Sequence, residues 1–299
     1  MRFLILGGTY FLGLAFTEQA FRAGHELTLI NRGTHPIGHP RIREFHLDRH
    51  DSAALAALPA ERFDAVIDFC GYAAGDIRSF LEAFPGTIGH YLFLSTVDAC
   101  RRGTGLLLTE DAPLEDRVFP GEAGAYIAGK AALERELEAC SAEGGFAFTV
   151  FRPSFIYGPG NYAPRESLYF HWIREAGQIL HPSDATGHFQ FVYVEDAARA
   201  VLESCRNPEA YGRRLFLACE EEVTYERWAV LLKGAVDRPF TMAELPVSEV
   251  TARGIPLPFP LTEEESERCD GKFIRQILPD FSYLSMEEGL RLSWQAAQV

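Results

Sequence analysis

Tyrosine and lysine spaced i,i+4 in "AYIAGK" put Tyr126 and Lys130 on one face of a helix. A positioned phenol can exchange a proton with a carbinol or carbonyl oxygen, and a neighbouring buried ammonium favours the phenolate. Leu133 and Leu137 continue the same face, which is therefore expected to point into the protein, with Lys130 lowering the Tyr126 pKa. A second pattern is the glycine-rich stretch "ILGGTYFLG" at 5–13. Gly7 permits a tight turn after a strand and Gly13 lets the next helix pack closely. The helix N-terminus then offers free N–H groups to a pyrophosphate. Tyr10 occupies the place of a middle glycine, so its side chain is expected to lie over the phosphates or to hydrogen-bond them. A third pattern is "FLST", which leaves Ser95 and Thr96 at the end of a strand, where open α/β sheets bind ligands. Each pattern also has an ordinary use: glycine turns without ligands, Tyr-x-x-x-Lys by chance in a helix, and hydroxyls that cap a turn.

The elements that position these residues alternate. "RFLILGG", "HELTLINRG", "IREFHLD", "FDAVIDFCG", "GHYLFLST" and "FAFTVFRPSFIYGPG" read as strands. "FLGLAFTEQAFRAG", "DSAALAAL", "AGDIRSFLEAFPG" and "AYIAGKAALERELEACSAE" read as helices between them. This rhythm predicts an α/β fold, a Rossmann-type doubly wound parallel sheet. Beyond residue 158 the rhythm changes, with helices at "SLYFHWIREAG", "VTYERWAVLLKGAV" and "SMEEGLRLSWQAA" and strands at "FQFVYV" and "RRLFLACE". The predicted division is a dinucleotide-binding domain at 1–157 plus 188–217, with a smaller substrate-binding domain at 158–187 plus 218–299. The proline-broken stretch 250–269 is expected to be a lid or loop.

The strand "LTLINRG" ends in Asn31 and Arg32, where an acidic residue would bind an adenosine ribose 2′-hydroxyl. An arginine there can accept a 2′-phosphate, so the cofactor expected is NAD(P), with NADP favoured; the alternative is an ordinary surface arginine.

The chain has 299 residues and a formal net charge of −14, which disfavours nucleic acid as a partner. No apolar run reaches the ~20 residues needed to span a bilayer. The opening "MRFLILGG" is too short for a signal-peptide core, so a cytoplasmic location is expected. The six cysteines form no C-x-x-C pair and read as reduced thiols in or near the core. The histidine pairs in "HPIGH" and "HLDRH" lie in loop or strand-end contexts, so no metal site is expected.

The stretches "GGTYFLG", "FDAVIDFCGY", "YLFLST", "YIAGK", "FRPSFIYGPGN" and "FVYVEDAARAV" together make the chain resemble the extended or atypical short-chain dehydrogenase/reductases, the NAD-dependent epimerase/dehydratase family. The resemblance runs over nearly the whole chain and is strongest over 1–200. It implies Tyr126 as acid/base, Lys130 as its activator and Thr96 as the third catalytic residue. It also implies cofactor contacts at Gly7, Thr9, Tyr10, Phe11, Gly13, Asn31, Arg32, Asp48, Cys70, Gly71, Ser95, Pro153 and Ser154. The substituted glycine motif is similar to that of an atypical subgroup, which includes the chloroplast stem-loop RNA-binding proteins. Sugar-nucleotide enzymes of the family usually carry Arg-Asp before "FVYV", where the arginine grips the substrate diphosphate; here Phe189 and Gln190 stand in those places. Asn161, Arg165, His171 and Arg253 remain as polar candidates for a small-molecule substrate. The function expected is an NAD(P)-dependent epimerase, dehydratase or reductase, possible substrates including a sugar or sugar nucleotide. The alternative is a non-catalytic protein that senses the cofactor or binds RNA. With Tyr126 turned inward, Ile127, Ala131, Glu134 and Glu138 are expected to form an outward stripe. Its two glutamates would repel across a two-fold axis, predicting a monomer or a weak homodimer.

Overall fold

The computed structural model describes residues 1–103 and 107–298. Seven strands form one parallel sheet: β1 (Arg2–Leu6), β2 (Glu26–Asn31), β3 (Ile42–His46), β4 (Ala65–Asp68), β5 (His90–Leu94), β6 (Ala147–Pro153) and β7 (Arg213–Leu217). Their order across the sheet is β7-β6-β5-β4-β1-β2-β3, the doubly wound arrangement predicted. Strand β1 shows why both faces must be covered. Its side chains alternate, so Phe3 and Ile5 join one apolar cluster while Leu4 and Leu6 join another. The first cluster is closed by α1 (Phe11–Arg22), which lies against α6 (Val194–Ser204). The second is closed by α3 (Asp76–Ala83) and α4 (Gly121–Gly144), which supply Ile77, Phe80, Leu133 and Leu137.

Helix starts follow the sequence signals. Asp51, Thr224 and Ser285 cap α2 (Ser52–Ala56), α7 (Tyr225–Ala235) and the helix Met286–Ala296 through side-chain oxygens that accept backbone N–H bonds. Gly145 and Gly177 end α4 and α5 (Glu166–Ala176) in the left-handed conformation that glycine tolerates.

The remaining chain packs beside the carboxyl ends of the strands. Gln178–Pro182 pairs in parallel with Thr241–Leu245, and Phe155–Tyr157 with Phe191–Tyr193. Phe189, Phe191, Trp228 and Phe259 fill its interior, with the Phe189 and Phe259 rings stacked at 4.4 Å. The proline-broken stretch begins in the last turn of α8 (Val247–Ala252) and then holds a short 3-10 turn at Glu263–Glu265 with a Thr262/Glu265 capping box. Among the described residues, no helix is long and apolar enough to cross a membrane.

Candidate active site

The glycine turn follows β1 directly. Gly7 and Gly8 take φ of +91° and +76°, which side-chain-bearing residues rarely adopt. A Cβ on Gly13 would stand 2.8 Å from the Gly8 backbone, so the helix approaches the turn this closely only because residue 13 is glycine. Tyr10 needs no glycine: its backbone is extended, at φ −147°. The left-handed backbone falls instead on Phe11, at φ +45°. No side chain caps α1, so its first N–H groups stay free for an acceptor. An uncapped helix end against a cradle that a Cβ would fill fits a dinucleotide pyrophosphate. Thr9 lies within this turn. The Tyr10 ring is 51% exposed and stacks on His35 at 5.4 Å, with Tyr162 5.5 Å away on its other contact.

Around the adenosine end of such a cofactor, the calls from sequence separate. Arg32 is exposed at the end of β2, and the His50 N–H and ring, with a smaller contribution from the Arg32 charge, hold the Asp48 carboxyl below its usual range. Asn31 is engaged internally: its amide donates to Glu44, and its Oδ1 accepts the Gly33 N–H at 2.7 Å. Beyond β4, Cys70 and Gly71 follow Asp68. A buried Arg49–Asp68 pair at 2.8 Å, which the sequence reading missed, fixes this corner. Burial alone would push the Asp68 carboxyl up, but the Arg49 charge and hydrogen bonds from Arg49, Tyr91 and the Cys70 N–H hold it down. The "HLDRH" and "VIDFCG" stretches place a basic and an acidic residue at the carboxyl ends of two strands that are consecutive in the chain, which was the available signal.

Helix α4 carries Tyr126 and Lys130 past this corner. It gets close through Gly129, where a Cβ would lie 1.9 Å from the Tyr72 carbonyl oxygen. Lys130 is buried, donates to the Leu94 carbonyl at 2.7 Å, and sits 4.8 Å from the Tyr72 and Phe93 ring centroids. Burial lowers its pKa to about 8, against the pull of the Asp68 and Glu134 charges, so it remains an ammonium at neutral pH. The Tyr126 ring stands 5.8 Å from Lys130 Nζ and beside Thr96. Tyr126 is 38% exposed rather than turned fully inward, and the expected lowering of its phenol pKa is corrected: partial desolvation and the Asp98 charge raise it, and the Thr96 hydroxyl offsets them only in part. The Lys130 ammonium donates to the Leu94 carbonyl and does not reverse this shift.

Ser95 is also corrected. Consecutive residues of an extended chain face opposite ways, and Ser95 turns behind the sheet end, where its hydroxyl donates to Glu134 at 2.6 Å. Glu134 is wholly buried and pairs with Arg152 at 2.7 Å. The expected outward stripe of α4 therefore does not exist: Ile127, Ala131 and Glu134 are buried, and Glu138 pairs with Arg214. The glutamate repulsion argued from that stripe falls with it.

A cleft opens next to Thr96, lined in part by Asp98, Ser154, Phe155, Arg165 and Phe189. Pro153 ends β6 in register with Leu217, and the Ser154 N–H donates to the Leu217 carbonyl. Arg165 enters this cleft. Asn161 instead shapes the loop beneath it, with its amide donating to Glu166 and its Oδ1 accepting the Ala163 N–H. Arg253 is corrected as a substrate residue: it ends the exposed α8 and pairs with Glu249 one turn back. His171 is exposed on α5. Asp98 and Gln190 were not singled out as site residues from sequence; Gln190 donates to the Cys219 and Cys269 carbonyls and accepts the Cys269 N–H. Among the described residues no group of three His, Cys, Asp or Glu is arranged to hold a metal.

The model of the NAD dependent epimerase/dehydratase family matches residues 3–85 and 81–216. Among curated proteins, the chloroplast stem-loop binding protein of 41 kDa b of Arabidopsis thaliana is 31% identical over 240 residues. That match takes in 75% of this chain and 60% of the relative, so the chain spans less than two thirds of the relative's length. Three solved structures share the fold. Pal from Bacillus thuringiensis superposes with a TM-score of 0.78 at 16% identity, covering 100% of this chain and 99% of that one. The UDP-glucose 4-epimerase of Thermotoga maritima with UDP-glucose gives 0.76 at 17% identity, covering 100% and 99%. The Thermus thermophilus UDP-glucose 4-epimerase with NAD gives 0.75 at 18% identity, covering 100% and 99%.

Proposed function

This chain belongs to the NAD-dependent epimerase/dehydratase family, and from that premise we propose that it is an NAD(P)-dependent enzyme acting at a carbinol or carbonyl carbon of a small molecule. The observation that carries this reading is the meeting of Tyr126, Thr96 and Lys130 at the carboxyl edge of the sheet, beside an uncapped glycine turn. The turn at Gly7, Thr9, Phe11 and Gly13 holds the pyrophosphate, with Tyr10 flanking it. Arg32 and Asp48 meet the adenosine end, and Cys70, Gly71 and Pro153 border the rest of the cofactor. The dinucleotide, when bound, supplies the hydride acceptor or donor.

The chain's own residues handle the proton. Tyr126 rests protonated at neutral pH, because burial and Asp98 raise its pKa, so it is set to donate to a carbonyl oxygen. Thr96 hydrogen-bonds the same oxygen and orients it. Lys130 keeps its charge beneath the phenol and steadies the phenolate left after donation. Residues 158–187 and 218–299 provide the substrate side of the cleft. The substituted glycine motif supports membership of the atypical subgroup of the family, and the exposed Arg32 supports NADP over NAD.

A second reading follows from the name of the Arabidopsis relative, a stem-loop binding protein. The net charge of −14 opposes it, because RNA binding requires a basic footprint. Mass spectrometry of the nucleotide released from the purified protein tests the proposal. NADP or NAD in stoichiometric amount is expected, together with turnover in a screen of sugar nucleotides and free carbonyl compounds. Absence of either nucleotide, with salt-sensitive RNA binding in its place, would favour the second reading.

A further inference from the structure

We propose that the cleft beside Tyr126 is built for a substrate carrying one anionic group, a carboxylate or phosphate monoester, that pairs with Arg165. A nucleotide diphosphate does not fit the same charge pattern. The assignment rests on the reading of this cleft as the substrate site.

Arg165 is the cation that the cleft leaves uncompensated. Its guanidinium lies 5.0 Å from the Phe155 ring centroid, and Nη1 donates to the Ile156 carbonyl at 2.8 Å. Among the described residues no carboxylate forms an ion pair with it. The adjacent Glu166 uses its oxygens on the Gly158 N–H and the Asn161 amide, both at 2.9 Å. Burial depresses the Arg165 pKa and the Glu166 charge offsets this only in part, the cost of holding a guanidinium that has no ion-pair partner. Arg165 shares the cleft lining with Thr96 and Asp98, so an anion bound there lies close to the reacting carbon.

The other arginines of this region are already neutralised. Arg102 pairs with Asp98 at 3.2 Å and lies 3.9 Å from Glu267, while Arg117 pairs with Glu115 at 2.7 Å. Glu265 and Glu267 also line the far wall and add negative charge there. Where a second cation would be expected, Phe189 is stacked into the aromatic core, and the neighbouring Gln190 amide is saturated by backbone bonds. With Arg102 set against Asp98, the lining keeps one guanidinium free of an ion pair, together with Glu265 and Glu267, which matches a single anionic group. A diphosphate would meet two arginines, one of them already paired, and three carboxylates.

Calorimetric titration of the full chain, with NAD(P) bound and again without it, uses four probes: glycerate, glycerol 3-phosphate, glycerol and UDP. At least one of glycerate and glycerol 3-phosphate is expected to bind, and the better of them identifies carboxylate or phosphate as the preferred group. Glycerol and UDP are expected to bind more weakly than that ligand. Arg165→Gln should weaken its binding about 10–100-fold, as expected for loss of a charge-assisted contact, and Arg165→Lys should restore most of it. NAD(P) affinity should be unchanged in both variants. Failure of both glycerate and glycerol 3-phosphate to bind at millimolar concentration, equal binding to Arg165→Gln, or tighter binding of UDP would overturn the assignment. A wild-type chain that binds no NAD(P) but retains Arg165-dependent anion binding would instead refute the proposed function alone.

Discussion

Replacing Glu134 by glutamine attacks the active site from behind. Glu134 accepts Arg152 Nε at 3.0 Å, Arg152 Nη2 at 2.7 Å and Ser95 Oγ at 2.6 Å, and Arg214 Nε lies 3.3 Å away. Glu134 and Arg152 are both fully buried, so solvent cannot take over when the carboxylate is removed. Glutamine keeps the shape and one acceptor oxygen, but turns an NH₂ group towards guanidinium donors. Summing three charge-assisted bonds would overstate the loss, because Arg214 is partly exposed and can shift. Breaking a buried pair from one side typically costs about 3–5 kcal/mol, and that is the loss expected. Urea unfolding should show a lower midpoint with an unchanged slope. Arg152→Met combined with Glu134→Met should cost clearly less than the sum of the two single changes, because no charge is then left unpaired. Turnover should fall as well, since Ser95 precedes Thr96 on the strand end. A Glu134→Gln loss below about 1 kcal/mol, or strict additivity in the cycle, would refute the reasoning.

Gly129→Ala places a Cβ 1.9 Å from the Tyr72 carbonyl and must push α4 off the sheet. A loss of about 1–3 kcal/mol in thermal unfolding and a drop in kcat are expected, and wild-type values for both would count against the close approach. Burial, aided by the Arg206 charge, holds the fully buried His90 at a pKa of about 4 against an ordinary 6.5. Its contribution to stability is therefore complete above pH 6.5 and is lost as pH falls through about 4, amounting to about 3 kcal/mol at most. Stability measured against pH should show this decline, and His90→Gln should flatten it. Arg32→Ala should cost roughly 1.5–3 kcal/mol in NADP binding and leave NAD binding unchanged, as read by calorimetry.

Much of the scaffold was legible because its signals are local. Alternation in "RFLIL", helical spacing through "AYIAGKAALEREL", and the caps at Asp51, Thr224 and Ser285 are written within a few residues of where they act. The pairing of Gln178–Pro182 with Thr241–Leu245 was not, because neither segment alternates cleanly and each partner lies far away in the chain. The same holds for the site. Tyr126 and Lys130 were found by spacing, but the direction of the phenol pKa depends on Asp98 and on burial by other elements. Ser95 illustrates a signal present but unused: strand alternation allows only one of Ser95 and Thr96 to face the cleft. Arg253 was chosen for its charge in a stretch with no periodicity to fix its direction, and it lies on an exposed helix. The Phe189-Gln190 substitution was visible. That Gln190 is spent on backbone groups of residues 219 and 269 was not.

The central claim is that Tyr126 exchanges the substrate proton while other residues hold the cofactor. It is tested most directly by single-turnover hydride transfer, followed by nicotinamide absorbance, in Tyr126→Phe and the wild type. The account predicts a rate about 10²–10⁴-fold lower in the variant, as expected for loss of one positioned acid/base, with cofactor affinity unchanged. A rate within a few-fold of the wild type would contradict it.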